Sequence, residues 1–201
     1  MKNNENEFLD EKILEMKREK EKAKNNDITK GGVYIKEELV EFEEVKLFNE
    51  SMSILLPKSF VNLPENMKKI KYPSESRPQI IKTSLDTSVN FCFNLLPMPI
   101  KNEQTIDAAK QFKTILKRVN PAYVFFDLKQ EKVGENEEKI LSWFDFKSYG
   151  IDFPMYNIMY VVPIKNKVMH GIFNCLYKDI EEWKEYAFQV IKSIKENVEE
   201  Q

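Results

Sequence analysis

The chain holds one histidine, His170, and two cysteines, Cys92 and Cys175, so a Cys–His nucleophile–base pair must come from these three. His170 and Cys175 share a strand-like run, Lys167 to Tyr177, at an odd separation. Side chains alternate across a strand, so ideal alternation sends the two to opposite faces. Pairing His170 with Cys92 would require two distant segments to meet. A lone histidine with no Cys or carboxylate at ligand spacing does not make a zinc site, and neither cysteine has C-x-x-C spacing. Phosphate cradles need clustered glycines so that the backbone can approach the anion. With five Gly in all and no G-x-x-x-x-G-K or G-x-G-x-x-G, those devices are excluded. No G-x-S-x-G, H-E-x-x-H or calcium-loop pattern occurs.

Two carboxylates stand out. Asp127 and Asp145 each follow aromatic residues on strand-like runs, and across a hairpin they would share a proton. The alternative places each where its strand leaves the core. Tyr123, Phe125 and Trp143 read either as an aromatic platform for bases or peptides or as core beneath a helix. The only arginines are Arg18, Arg77 and Arg118, so the platform lacks interleaved guanidinium groups. Two segments offer recognition surfaces instead. Prolines bound the Tyr72–Pro78 loop, which with Lys69, Lys71 and Arg77 forms a preorganised basic patch. Leu9, Ile13 and Met16 have the i, i+4, i+7 spacing of a helix that docks through one face.

Composition bounds what carries these residues. The 201 residues are 42% apolar and 12% aromatic, enough for a substantial core. Thirty-one basic and 33 acidic side chains leave a net charge of -2, so no global pull toward nucleic acid or anionic membrane exists. Residues 1–30 lack the apolar region of a signal peptide, and no window approaches ~18 uninterrupted apolar residues. We expect a soluble, cytoplasmic chain with two free buried thiols.

Periodicity then places the elements. Residues 1–32 form a charged arm, partly helical or disordered, ended by Asn25-Asn26-Asp27 and Gly31-Gly32. Val33–Ile35, Val45–Phe48 and Met52–Leu56 read as short strands, and Pro64 opens a brief helix. Gln79–Ser84 and Ser88–Leu95 form a hairpin, with Val89, Phe91, Phe93 and Leu95 on one face. Pro97 and Pro99 are expected to end it. A helix spans Thr105 to Val119, with Thr105 as N-cap and Ile106, Ala109, Phe112, Leu116 and Val119 on its buried side. Four strands follow: Ala122–Glu131, Lys139–Tyr149, Met155–Ile164 and Lys167–Tyr177. Alternation puts Val124, Phe126 and Leu128 on one face of the first. Met155–Ile164 is apolar on both faces, so it needs cover on both. A helix from Ile180 buries Ile180, Trp183, Ala187, Val190, Ile191 and Ile194, with Asp179 and Glu182 at capping-box spacing.

This layout resembles the PsbP-like (Mog/PsbP-like) superfamily over about residues 45–198. The resemblance rests on Ser53-Ile54-Leu55-Leu56-Pro57, on Lys71 to Pro78, on the order of helix, four strands and helix, and on Ile191-Lys192-Ser193-Ile194. It implies an antiparallel sheet between helices and a binding or assembly role. Members of that superfamily include a Ran-binding import factor, photosystem-associated subunits and bacterial lipoproteins. No lipoprotein cysteine stands near this N-terminus.

The expectation is therefore an α/β (α+β) fold, an antiparallel β-sheet sandwiched between helices, over residues 33–201. Its expected function is a non-catalytic protein-interaction module: an adaptor, a secretion-accessory or an immunity-like protein. It takes no cofactor or metal, and another protein is its partner, bound through Lys69, Lys71, Tyr72 and Arg77 or through Leu9, Ile13 and Met16. The alternative is a small-molecule or lipid binder, or an unrecognised enzyme, with a cavity between sheet and helix.

Overall fold

The computed structural model describes Lys12 and residues 26–75, 77–134, 138–150 and 152–197. Leu9, Ile13 and Met16 lie outside the described residues. A 3-10 turn at Ile28–Lys30 precedes β1 (Val33–Ile35), β2 (Glu38–Val40), β3 (Phe42–Leu47), β4 (Met52–Pro57), β5 (Val61–Asn62) and α1 (Glu65–Lys71). Then come β6 (Ile80–Thr83), β7 (Asn90–Pro99), α2 (Thr105–Val119), β8 (Val124–Val133) and β9 (Lys139–Tyr149). The chain continues through β10 (Pro154–Ile164), β11 (Lys167–Leu176), α3 (Ile180–Lys192) and β12 (Lys195–Glu196).

Seven strands form the main antiparallel sheet, in the order β5-β6-β7-β11-β10-β9-β8. A second sheet, β12-β4-β3, and the β1–β2 hairpin lie apart from it. The turn between β10 and β11 holds Lys165 and Asn166 at φ 47° and 56°, the left-handed pair of a two-residue hairpin.

The sheet is a filling between two layers, because β10 and its neighbours are apolar on both sides. One face presents Phe91, Phe93, Trp143, Tyr156, Ile158, Tyr160 and Phe173 to Trp183, Ala187, Val190 and Ile191 of α3 and to the three-stranded sheet. The other presents Phe144, Phe146, Met159, Val161 and Val168 to Ala109, Phe112 and Leu116 of α2. Each fully buried large apolar side chain is worth roughly 1.5–3 kcal/mol, so both layers are firmly held.

Four local expectations need correction. Tyr123 and Phe125 pack under α2 with Phe146, whereas Trp143 lies under α3, so the three do not share a platform. A bulge separates the Phe125↔Phe146 pair from Leu128↔Phe144, putting an extra residue in β8. That slip returns Leu128 to the α2 layer and leaves Phe126 39% exposed. Val119 is exposed because it lies in the last turn of α2. Finally, β7 runs on through Pro99. Val168 pairs with Leu96 but Lys167 with Pro99, so Pro97 sits in a bulge that asks for no ladder N–H.

Both predicted caps are replaced by other contacts. Thr105 is the first residue of α2 and fully buried, its hydroxyl hydrogen-bonded to Ser142 Oγ at 2.8 Å and donating to Asn102 O at 2.9 Å. Asp179 makes no side-chain cap on α3 and instead pairs with Lys36 Nζ at 2.6 Å. Lys36 N donates to Glu182 Oε2 at 3.2 Å, so the β1–β2 turn is clamped on the start of α3.

Candidate functional site

An open groove of about 720 Å³ runs along α3, between that helix and the β8–β9 hairpin. Alternation along β9 turns Trp143 and Asp145 to this side, and the β8 bulge supplies Phe126. The helix contributes Lys184 and Phe188, four residues apart and so on one stripe. Trp143 and Phe188 meet edge to face with ring centroids 5.5 Å apart. With Phe126 they make an aromatic floor.

The wall carries one organised polar group. Asp145 is only 7% exposed, and its Oδ2 accepts from Tyr156 Oη at 2.7 Å and from Lys184 Nζ at 3.0 Å. Burial, and then this carboxylate, push the Tyr156 phenol well above its ordinary range, so it stays a donor. At the start of α3, Lys147 Nζ lies 4.2 Å from the Tyr177 ring centroid. At its far end Lys192 pairs with Glu131 at 2.8 Å. Asp127 also lines the groove, but its side chain is 82% exposed and lies 3.8 Å from Lys129. Asp145 is thus committed to a tyrosine and a lysine, and Asp127 faces solvent.

The reactive side chains lie elsewhere. His170 is on the α2 side, stacked on Phe112 with centroids 4.4 Å apart, and Cys175 is on the α3 side, as their odd separation requires. Burial pushes the imidazole down to about 4. It also pushes the Cys92 thiol up to about 11 and the Cys175 thiol up to about 12, so both stay protonated at neutral pH. Among the described residues, no group of three or more His, Cys, Asp or Glu side chains is placed to hold a metal ion.

The predicted recognition loop is turned partly inward. Lys71 Nζ donates to Thr87 O and to Asn90 Oδ1. Tyr72 Oη lies 3.4 Å from Cys92 Sγ and accepts from Asn174 Nδ2 at 3.5 Å. Asn90 Nδ2 in turn donates to Asn174 Oδ1 at 2.8 Å, so loop and sheet share one polar cluster. Arg77 Nε donates to Ser74 O at 3.0 Å and closes the loop on itself, while Lys69 is exposed. The structure brings Lys71 and Tyr72 together on this cluster, and none of the four reaches the α3 groove. Sequence reasoning missed Phe126, Lys184 and Phe188. Their only signal was an α3 polar face that carries an aromatic beside its lysine.

No protein-family model matches the sequence, and no curated protein matches it significantly. Solved structures are similar in fold. The solution structure of cyanobacterial PsbP (CyanoP) from Synechocystis sp. PCC 6803 superposes with a TM-score of 0.57 at 9% identity, covering 78% of this chain and 92% of that one. LpqN of Mycobacterium tuberculosis, described as involved in cell envelope biogenesis, gives 0.49 at 13% identity, covering 85% and 97%. A Bacteroides thetaiotaomicron protein gives 0.49 at 12%, covering 78% and 49%. The chain has the PsbP-like fold that its element order resembles. Among the described residues, no helix is long and apolar enough to cross a membrane.

Proposed function

We propose that this chain is a non-catalytic protein-interaction module that takes a segment of another protein into the groove along α3. The observation that carries this reading is the groove in which Phe126, 39% exposed, stands beside the half-buried Phe188 over the buried Trp143, rimmed by charges of both signs. Apolar anchors inside a polar rim are the composition of a protein contact surface. The exposed Lys69 and the self-closed Arg77 loop offer a second, smaller surface on the opposite side of the sheet. Two buried thiols on opposite faces suit the reducing cytoplasm, where we place the protein.

Capture of a partner by the intact chain, compared with Phe126→Asp, Lys184→Glu and Arg77→Ala, tests the reading. Capture weakened by the first two changes, with folding preserved, is the expected result. Loss on Arg77→Ala alone moves the interface to the loop, and indifference to all three removes the proposal.

A second reading has one observation in its favour: a volume of about 720 Å³ with Asp145 and Lys184 in its wall is the size of a small-molecule site. The groove is open along its length, whereas such sites enclose most of their ligand, so the protein partner is preferred. Saturable binding of a small amphiphile that Lys184→Glu abolishes would reverse that preference.

A further inference from the structure

β8 is an outer strand of the main sheet, paired with β9 on one side and, among the described residues, with no strand on the other. Such a strand aims half of its backbone N–H and C=O groups outward, where they are a template for a further strand. The first part of β8 is closed to that use. The bulge between Phe125 and Leu128 bends it, and Lys113 Nζ donates to Phe126 O at 2.6 Å. From Leu128 to Val133 the register with β9 is unbroken, and Lys129, Gln130, Glu131 and Lys132 are exposed.

Parity and charge then say which strand fits. When two copies of one strand meet antiparallel about a two-fold axis, that axis must pass through a residue, which faces itself. An axis between residues would set an outward-aimed backbone group against an inward-aimed one. Through Lys129, Glu131 or Lys132 the axis sets like charges face to face. Through Leu128 or Val133 it runs the pairing into the bulge or off the strand. Only Gln130 remains, and there Lys129 lies opposite Glu131 of the second copy, twice over. We propose that two copies of this chain join through the open edge of β8, antiparallel about Gln130, so that their main sheets continue as one. Leu128, half-buried in the α2 layer, is then covered by the aliphatic stem of Lys132 of the second copy. Both Lys129–Glu131 pairs fall on the α3 side, where Glu131 already meets Lys192 at 2.8 Å and Lys129 lines the groove. Opposed residues share a face of a sheet, so the two α3 grooves lie side by side, and each gains Glu131 of the other copy at its rim. So short an edge buries much less than the ~1,600 Å² of a standard interface, and the association is weak.

Sedimentation of the intact chain, over a concentration series reaching the millimolar range, tests this. The weight-average mass should rise with concentration toward twice that of the monomer. Lys129→Glu and Glu131→Lys each set like charges opposite one another at both pairs, so each variant alone should stay monomeric. An equimolar mixture of the two should associate again, because every charged pair across the edge is then of opposite sign; that recovery also shows both variants to be folded. Glu44→Lys on β3, the outer strand of the small sheet, should behave as the native chain does. The register has its own probe, since the native Cys92 and Cys175 are buried. Gln130→Cys should form an intermolecular disulfide on mild oxidation. Lys132→Cys should not, because in this register position 132 lies more than about 13 Å from its counterpart. A chain monomeric at every concentration, dimers that survive either charge change, a mixture no more associated than its components, dissociation by Glu44→Lys, or crosslinking as fast in Lys132→Cys as in Gln130→Cys would each overturn the inference.

Discussion

Tyr160 lies directly across the β10–β11 ladder from Gly171, and its ring fills the space a side chain at position 171 would need. A Cβ added there would fall 2.1 Å from Tyr160 Cζ. The ring cannot swing aside, because Tyr160 is fully buried in the α3 layer. Gly171→Ala should therefore destabilise the fold by about 1–3 kcal/mol, the usual cost of overpacking. Tyr160→Leu should recover part of that loss in the double variant, since the two sites share one space. Urea midpoints of the four chains measure both, and an unperturbed Gly171→Ala midpoint contradicts the geometry.

The same tyrosine carries an unused polar atom. Tyr160 Oη is buried without a hydrogen-bond partner among the described residues. Tyr160→Phe keeps the ring over Gly171 and removes the desolvation cost of the hydroxyl, so stability should hold or rise by up to about 1 kcal/mol. Tyr156→Phe is the contrast, because its hydroxyl donates to the buried Asp145. That change should cost roughly 1–3 kcal/mol. Equal losses from both substitutions, read by chemical denaturation, would count against this assignment of partners.

His170 makes stability depend on pH. Burial against Phe112 holds the folded imidazole down to about 4, against an ordinary value of 6.5. Between those values the unfolded chain binds the extra proton, so stability falls as pH drops through the window, by at most about 1.4 kcal/mol per unit. Carboxylates titrate mostly below it. Denaturation midpoints at pH 6.5 and 5 should thus decline in the native chain and stay nearly level in His170→Phe. Parallel declines in both chains would place the proton elsewhere.

The sandwich was legible because its strands carry their own signals. Lys139–Tyr149 carries apolar residues on both faces, Asn166 marks the hairpin turn after Met155–Ile164, and the two-faced apolarity of Met155–Ile164 demands a layer on each side. α2 was found at its observed ends, because its stripe is flanked by a polar turn and a proline. The three-stranded sheet was partly hidden, since Lys195–Glu196 pairs with Met52 and Ser53 through backbone alone. The β8 bulge left no mark either: Val124, Phe125, Phe126 and Leu128 fit an unbroken period equally well. The groove escaped detection for a related reason. Its two walls, around Phe126 to Asp145 and Tyr177 to Lys192, are joined only by the fold. The Tyr72 loop was read as an outward surface because nothing local shows its hydroxyl reaching Cys92 and Asn174.

Asp145 Oδ2 receives both the Tyr156 hydroxyl and the Lys184 ammonium, so these two donors should not act independently. The Lys184 side chain is 48% exposed and that of Asp145 10%, which places the pair at the groove surface rather than in the core. Lys184→Met alone should cost little, about 0–1 kcal/mol, because solvent screens the lysine and can hydrate the carboxylate in its place. Once Tyr156→Phe has removed the inner donor, Lys184 becomes the remaining protein donor to that oxygen. The same Lys184→Met change should then cost more, giving a coupling of at least about 0.5 kcal/mol in a double-mutant cycle. Thermal or urea unfolding of the four chains measures it at low salt and again at high salt. A coupling that shrinks with salt locates the contribution in the exposed lysine. Strict additivity at both salts would mean that the two donors serve different atoms in solution, and that the wall of the groove is not organised around Asp145.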